Sequence, residues 1–444
     1  MAISSYALWM LAQEARSLLT RLGRVRPFVL IEPMVPAAAL LPSAQSAIEA
    51  HLAQGRRELH GMVNGFLAWL RGPAAHSATA AEAQRRFTFV RLKFNAALTQ
   101  FDLFNDVITQ RSEHKNGVWL SGLDVASADA LALPGDYFRA PPVICYLDRG
   151  PGAAIRRART RLPGGGDNPV AVVRVPRERM VGSSIASSLF HEVGHQGAAL
   201  LDLVNSLRPV LQALQRGGSG SLGTPAHVWR LWERWISEVV ADLWSLARVG
   251  VVATMGLIGV VSLPRVFVFR VNADDPHPAP WIRVKLSCAL GQQLFPHPQW
   301  RRIAALWDSF YPLAGLEPQQ RKVLEQLEAS LPAFAGLLAR HRPALLRGRT
   351  LPDVMAVRAR QPRRLARLFL QWSRTPKQLY DAAPSLAFAV IGQARADGRL
   401  SPEDESVLLA RLLTHWALRS TLDLTALCSD VAQTGRLEFR STIL

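Results

Sequence analysis

Apolar residues recur at helical spacing along most of the chain. Between residues 80 and 111, Phe87, Val90, Phe94, Leu98, Phe101 and Phe104 stand three or four apart, which predicts a long helix with one strongly apolar face. The helical pattern before it breaks at residues 71–75, where Gly72 and Pro73 disfavour continuation. The texture changes between residues 117 and 175: short apolar runs at 143–146 and 170–175 alternate with Pro/Gly-rich connections and predict a small sheet. Helical spacing returns over 185–207, with Ser183 or Ser184 as the cap. After a glycine-rich connector at 217–223 it resumes near Pro225, in a helix holding Trp229, Trp232, Trp235 and Trp244. A third extended run is expected at 266–271, and from Gln299 onward helices are separated by Pro312, Pro332, Pro343, Pro352 and Pro376. The fold class is therefore α+β and mainly helical. Its expected organisation is a helical N-terminal region (1–115), a core with the sheet (116–298) and a helical C-terminal region (299–444).

The 444 residues leave room for two or three domains, and 49% hydrophobic with 19% charged residues is a globular balance. Cys145, Cys288 and Cys428 are far apart and form no CxxC pair, which argues against a disulfide framework or a thiolate zinc finger. The first residues lack a basic leader, and Glu14 and Arg16 interrupt the apolar stretch, so an amphipathic helix is expected in place of a signal peptide, with a cytoplasmic location. Residues 243–263 carry no charge but Arg248; a buried core helix is expected there, with membrane association not favoured. Net charge is +18, yet only five of the 52 basic residues are lysine, a skew that codon usage alone can produce. The densest stretch is 340–377, from Arg340 to Lys377, where eleven basic residues face Asp353. A solvated helix face is the plain expectation, and an anionic partner such as nucleic acid, lipid headgroup or acidic protein the alternative.

The chemistry concentrates at residues 191–195, which read His-Glu-Val-Gly-His. Two imidazoles four positions apart project from one face of a helix and can share one ion. Neutral imidazole suits Zn²⁺, and an open coordination position lets the ion acidify a bound water whose proton Glu192 can take. Glu238 and Asp242 follow as an ExxxD pair on the tryptophan-rich helix. Glu238 can supply a third donor, while Asp242, one turn on, can accept the outer N–H of a ligating His and fix its tautomer. Ala198 and Leu201 stand where the extended metzincin pattern needs Gly and His, which excludes that subclass.

HExxH followed by ExxxD resembles the gluzincin metallopeptidases, the thermolysin-like clan, over roughly residues 170–285. The resemblance implies a zincin-like catalytic core, Zn²⁺ held by His191, His195 and Glu238, Glu192 as general base and Asp242 behind the ligands. The stretch 275–283 is similar to an element that follows ExxxD in CAAX-type and heat-shock-type membrane endopeptidases; by that likeness His277 stabilises the oxyanion and Arg283 orients the site. The resemblance also implies that the strand at 170–175 is the edge that binds substrate peptide by β-augmentation. The basic, glycine-rich residues 156–166 read as a surface loop, or else as a flap favouring acidic substrates.

The expected function is zinc-dependent hydrolysis of peptide bonds in a peptide or protein substrate, as an endopeptidase. Two other readings stand beside it. Cys145 lies upstream of HExxH as in peptide deformylases, though without that family's flanking residues, and a buried structural thiol is the commoner case. A non-catalytic zincin-fold binding or assembly protein would keep the metal and use the arginine-rich C-terminal surface for a partner.

Overall fold

A computed structural model describes residues 3–25, 33–150, 152–162, 165–177, 182, 184–217, 223–272 and 274–441, with side chains up to residue 426 apart from His114 and Ser184. It is 74% helical with one three-stranded sheet, the α+β, mainly helical class read from the sequence. The cap at Ser183, most of the 217–223 connector and two residues of the 156–166 loop lie outside the described residues.

The chain divides into two compact units, Met1–Leu120 with Arg157–Ala171, and Ser121–Arg156 with Val172–Leu444. The first is built on α1 (Ser5–Arg24), α2 (Pro42–Arg71), the short α3 (Pro73–Ser77) and α4 (Ala80–Thr109). Pro73 opens α3 directly after Gly72, which is the break the sequence placed there. Thr79 starts α4, its hydroxyl accepting from the Glu82 amide at 3.2 Å. Phe87, Val90 and Phe94 then bury against Leu59, Val63 and Leu67 of α2 and Leu11, Ala15 and Leu18 of α1.

The second unit holds the candidate chemistry. α5 (His114–Leu131) leads into the sheet of β1 (Val143–Asp148), β2 (Ala154–Arg156) and β3 (Ala171–Pro176), in the order β1-β3-β2. β2 runs antiparallel to β3, with Ile155 opposite Val173. The strand expected to be an exposed edge is thus central, with both hydrogen-bonding sides occupied, and β1 and the three-residue β2 are the edges instead.

α6 (Ser184–Leu200) and α7 (Leu203–Arg216) replace the single helix expected over 185–207. The chain turns at Asp202, which takes a left-handed conformation (φ 51°), a geometry Asp tolerates better than most residues. The turn lets Leu203, Leu207 and Leu211 bury as one stripe. α8 (Ala226–Val249) carries the four tryptophans fully buried, and Gly250 (φ 61°) separates it from α9 (Val251–Val261). Residues 243–261 therefore form two helical pieces, the end of α8 buried and α9 exposed at Met255, and among the described residues no helix is long and apolar enough to cross a membrane. Arg248, the charge in that stretch, is buried and donates to the Ala132 carbonyl.

The extended run expected at 266–271 is instead a helical turn, α10 (Arg265–Val268), begun where the Pro264 carbonyl accepts from Phe267 at 2.9 Å. α11 (Pro280–Leu294), α12 (Gln299–Phe310), α13 (Pro318–Arg340), α14 (Leu351–Val354), α15 (Pro362–Arg374), α16 (Lys377–Asp381), α17 (Pro384–Ala396) and α18 (Pro402–Ser441) complete the unit. Pro332 lies inside α13 and does not separate two helices as expected. Most of the other prolines sit at or near helix starts, where the missing N–H costs nothing.

Candidate metal centre

Three pieces of chain build the site. α6 carries His191, Glu192 and His195; α8 carries Glu238 and Asp242; the turn before α11 carries His277, and the first turn of α11 carries Arg283. Ile185, Leu189, Phe190 and Val193 bury the remaining faces of α6, which leaves its polar positions looking toward α8. The two imidazoles, one helical turn apart, stand with ring centroids 4.8 Å from one another.

Glycine sets how closely the two helices approach. A methyl group at Gly194 would lie 2.9 Å from the Ala241 carbonyl oxygen, and one at Gly197 would lie 2.4 Å from the Trp244 ring. With no side chains there, the Glu238 carboxylate reaches both imidazoles: Oε2 is 3.2 Å from His191 Nε2, and Oε1 is 3.4 Å from His195 Nε2. Donors around a tetrahedral ion with bonds of about 2.0–2.2 Å stand roughly 3.3–3.6 Å apart, and each carboxylate oxygen faces one imidazole at about that spacing. The three donor atoms all lie within 4.8 Å of one another. Glu238 Oε2 is buried and has no hydrogen bond, an expensive state for a carboxylate oxygen and one that a bound cation would relieve.

The groups behind the donors fix their orientation. His191 Nδ1 lies 2.8 Å from Asp242 Oδ1, an ion-pair distance that favours a proton on Nδ1 and leaves Nε2 for the ion. Arg283 grips Asp242 in turn, Nε to Oδ2 at 2.7 Å and Nη2 to Oδ1 at 2.9 Å, and comes within 3.5 Å of Glu238. His195 Nδ1 has the Ser237 hydroxyl at 3.5 Å. His277 presents Nε2 at 3.4 Å from Glu238 Oε2, while its Nδ1 is held by Asp275 at 2.9 Å. Trp235 Nε1 donates to the Asp275 carbonyl at 3.2 Å and Arg234 to the Asp274 carbonyl at 2.9 Å, tying that turn to α8.

These contacts pull the titrations apart. Burial works against a charged His191, but the adjacent Asp242 and Glu238 carboxylates outweigh it and push the group up to about 9. His195, buried and beside His191, is held down to about 4. Burial would raise Glu238; the close approach of His191 and the charges of His195 and Arg283 hold it down to about 2 instead. Burial is likewise overcome at Asp242, where Arg283 and His191 keep the carboxyl far below the usual carboxylate range. Glu192 goes the other way: burial, with the charge of Glu238, raises its pKa, though His191 and Arg283 oppose the shift.

Every site residue singled out in the sequence falls in this one neighbourhood. His191, Glu192, Glu238, Asp242, His277 and Arg283 line a common cavity of about 230 Å³, and His195 completes the donor group. Cys145 is not among the donors; it is buried on β1, its Sγ 3.4 Å from the Ser127 hydroxyl. Sequence reasoning missed Ser237, Asp275 and the α9 wall of the cavity, where Ala253, Leu257 and Val260 face the site. Ser237 directly precedes Glu238, and Asp275 sits two residues before His277, so proximity in sequence was the available signal. Asp242→Asn is expected to weaken divalent-ion binding by ~10–100-fold, since it removes the charged acceptor that fixes the His191 tautomer. Chelator competition measures this, and wild-type affinity would show that Asp242 does not orient the donor. Comparison with protein-family models, curated proteins and solved structures finds no match to this chain.

Proposed function

We propose that this chain is a zinc-dependent peptidase of the gluzincin kind, an endopeptidase acting on peptide or protein substrates. One observation carries the reading: a carboxylate from α8 stands 3.2 and 3.4 Å from the Nε2 atoms of two histidines on α6, beside a buried glutamate that lines the same cavity. Two imidazoles and a carboxylate are a donor set that suits Zn²⁺ and leaves a coordination position open. Zinc bound there supplies Lewis-acid activation of water and of the scissile carbonyl.

The chain's own residues supply the rest. Glu192, with its carboxyl pKa raised, is suited to take a proton from the attacking water and return it to the leaving amine. Burial and through-space charges act on it, with no hydrogen bond to another described residue that would divert it from this role. His277, anchored through Nδ1 by Asp275, places Nε2 at the cavity wall, positioned to hold a proton against the carbonyl oxygen as negative charge grows there. Arg283 and Asp242 keep His191 and Glu238 in register.

The test is a metal analysis of the purified chain together with cleavage of an unbiased peptide mixture read by mass spectrometry. One zinc per chain is expected, with cleavage inside peptide chains that a chelator abolishes and added zinc restores. Stoichiometric zinc with no cleavage would support the non-catalytic binding or assembly protein. No bound metal under any loading condition would overturn both.

A further inference from the structure

The arginine-rich segment 340–377 divides into two populations. Arg342, Arg347, Arg349 and Arg360 are engaged within the chain, on the carbonyls of Gly348 and Asp136, the Tyr137 hydroxyl and the Arg248 carbonyl respectively, Arg360 buried and the others at the surface. Among the described residues, the side chains of Arg363, Arg364, Arg367 and Arg374 on α15 make no hydrogen bond or ion pair. One of these, Arg363, stands over a groove of about 570 Å³ between α9, α12, α15 and α17, away from the candidate metal centre.

The groove is chemically two-ended. Arg302, Arg363 and Arg399 converge on it, each without an acidic partner among the described residues, and His297 joins them. His297 Nδ1 accepts from the Gln299 amide at 3.3 Å, which leaves Nε2 as its remaining donor position. The one acid present, Asp397, already accepts from Gln393 Nε2 at 3.0 Å. Below them Gln393 also donates to Gln299 Oε1 at 2.9 Å, and the pair retains unmet polar capacity at Gln299 Nε2 and Gln393 Oε1. The other wall is alkyl surface: Val251, Met255, Ile303 and Leu306, of which Met255 and Leu306 are 45% and 46% exposed. Phe310, one turn beyond Leu306 on α12, extends the apolar surface and is also exposed.

We propose that this groove binds a phosphate or carboxylate carried on an alkyl or acyl chain. Three guanidiniums beside one engaged carboxylate suit an oxyanion, which arginine recognises through paired N–H donors. A bare inorganic anion would leave the Met255–Leu306 wall in water, and an uncharged alkane would leave the guanidiniums unpaired. Only a molecule with both parts satisfies the whole groove. The ligand would lie against Val251 and Met255 on α9, the helix whose Ala253, Leu257 and Val260 line the metal-site cavity. That helix is held tightly from the α17 side, where a methyl group at Gly392 would lie 1.6 Å from Val252 Cγ2.

Calorimetric titration of the full-length, zinc-treated chain tests the site, with octyl phosphate below its micelle concentration as the probe and inorganic phosphate and octanol as its two halves. Octyl phosphate is expected to bind at least ~10-fold more tightly than either half, and an Arg302→Gln/Arg363→Gln variant with an unchanged circular dichroism spectrum to bind it at least ~10-fold more weakly. Met255→Gln should weaken octyl phosphate and leave inorganic phosphate unchanged. Equal affinity for octyl phosphate and inorganic phosphate, indifference to loss of the arginines, or no binding at millimolar probe would each overturn the proposal. Sedimentation with phosphatidylglycerol vesicles separates the sources of such a ligand. Arginine-dependent pelleting upholds the site as a lipid-headgroup site; octyl phosphate binding without pelleting upholds it as a site for a free amphiphile.

Discussion

Glu192→Gln is expected to retain bound zinc at wild-type stoichiometry and to lose peptide hydrolysis by at least ~10²-fold, with the loss in kcat and not in KM. The substitution is close to isosteric. It removes the one carboxyl lining the cavity that neither faces both imidazoles, as Glu238 does, nor is gripped by Arg283, as Asp242 is. The amide of glutamine cannot accept a proton from water at neutral pH, so the step Glu192 would perform is lost while the donors remain. Because the carboxylate is buried, replacing it by a neutral group also removes a desolvation penalty, and the variant should be no less stable than the parent. Wild-type turnover in this variant would remove Glu192 from the mechanism. Loss of zinc along with activity would mean that the residue serves the donors and not the proton.

The second large effect is structural. Gly197→Ala is expected to lower the melting temperature by roughly 5 °C and to weaken zinc binding at least ~10-fold. The added methyl would lie 2.4 Å from the Trp244 ring. That ring is fully buried, and its Nε1 donates to the Ala130 carbonyl at 3.0 Å, so it cannot swing aside without giving up a buried hydrogen bond. The remaining relief is for α6 and α8 to move apart, which carries the Glu238 carboxylate away from His191 and His195. Overpacking of this kind costs ~1–3 kcal/mol, against a helix-propensity gain of about 1 kcal/mol for replacing glycine. Gly61→Ala, also in a helix but with nothing within 4 Å of the added methyl, isolates the propensity term and should be neutral or slightly stabilising. A Gly197→Ala protein with unchanged melting temperature and zinc affinity would show that the helix spacing is not what holds the donors together.

What could be read from the sequence, and what could not, follows from the range of the interactions involved. His191, Glu192 and His195 are related by one helical turn, as are Glu238 and Asp242, so each pair was legible from periodicity alone. That the pairs meet is a long-range fact, supported in the sequence only by resemblance; in the structure it follows from the glycines at 194 and 197. The helices themselves were visible because their apolar stripes are long, as with Phe87, Val90 and Phe94 on α4. Single-residue breaks were not. Asp202 and Gly250 each redirect the chain through one positive φ angle, a change with no periodic signature. Strand order was equally hidden: β2 has three residues, too few for an alternating pattern, and without it β3 reads as an edge when it is in fact the centre of the sheet. The run at 266–271 has strand-like composition, yet Pro264 starts a helical turn there and the run joins no strand of the sheet.

The indole of Trp235 and the guanidinium of Arg234, fastened to the carbonyls at 275 and 274, have an implication for how the centre would meet its substrate. Both anchors lie on α8 within one turn of Glu238, so the imidazole of His277 and the carboxylate it faces are mounted on one stiff beam. Their 3.4 Å separation is thus set by α8 and the anchors it carries. An arriving peptide would find its reaction partners already assembled, and little of its affinity would be diverted into arranging them.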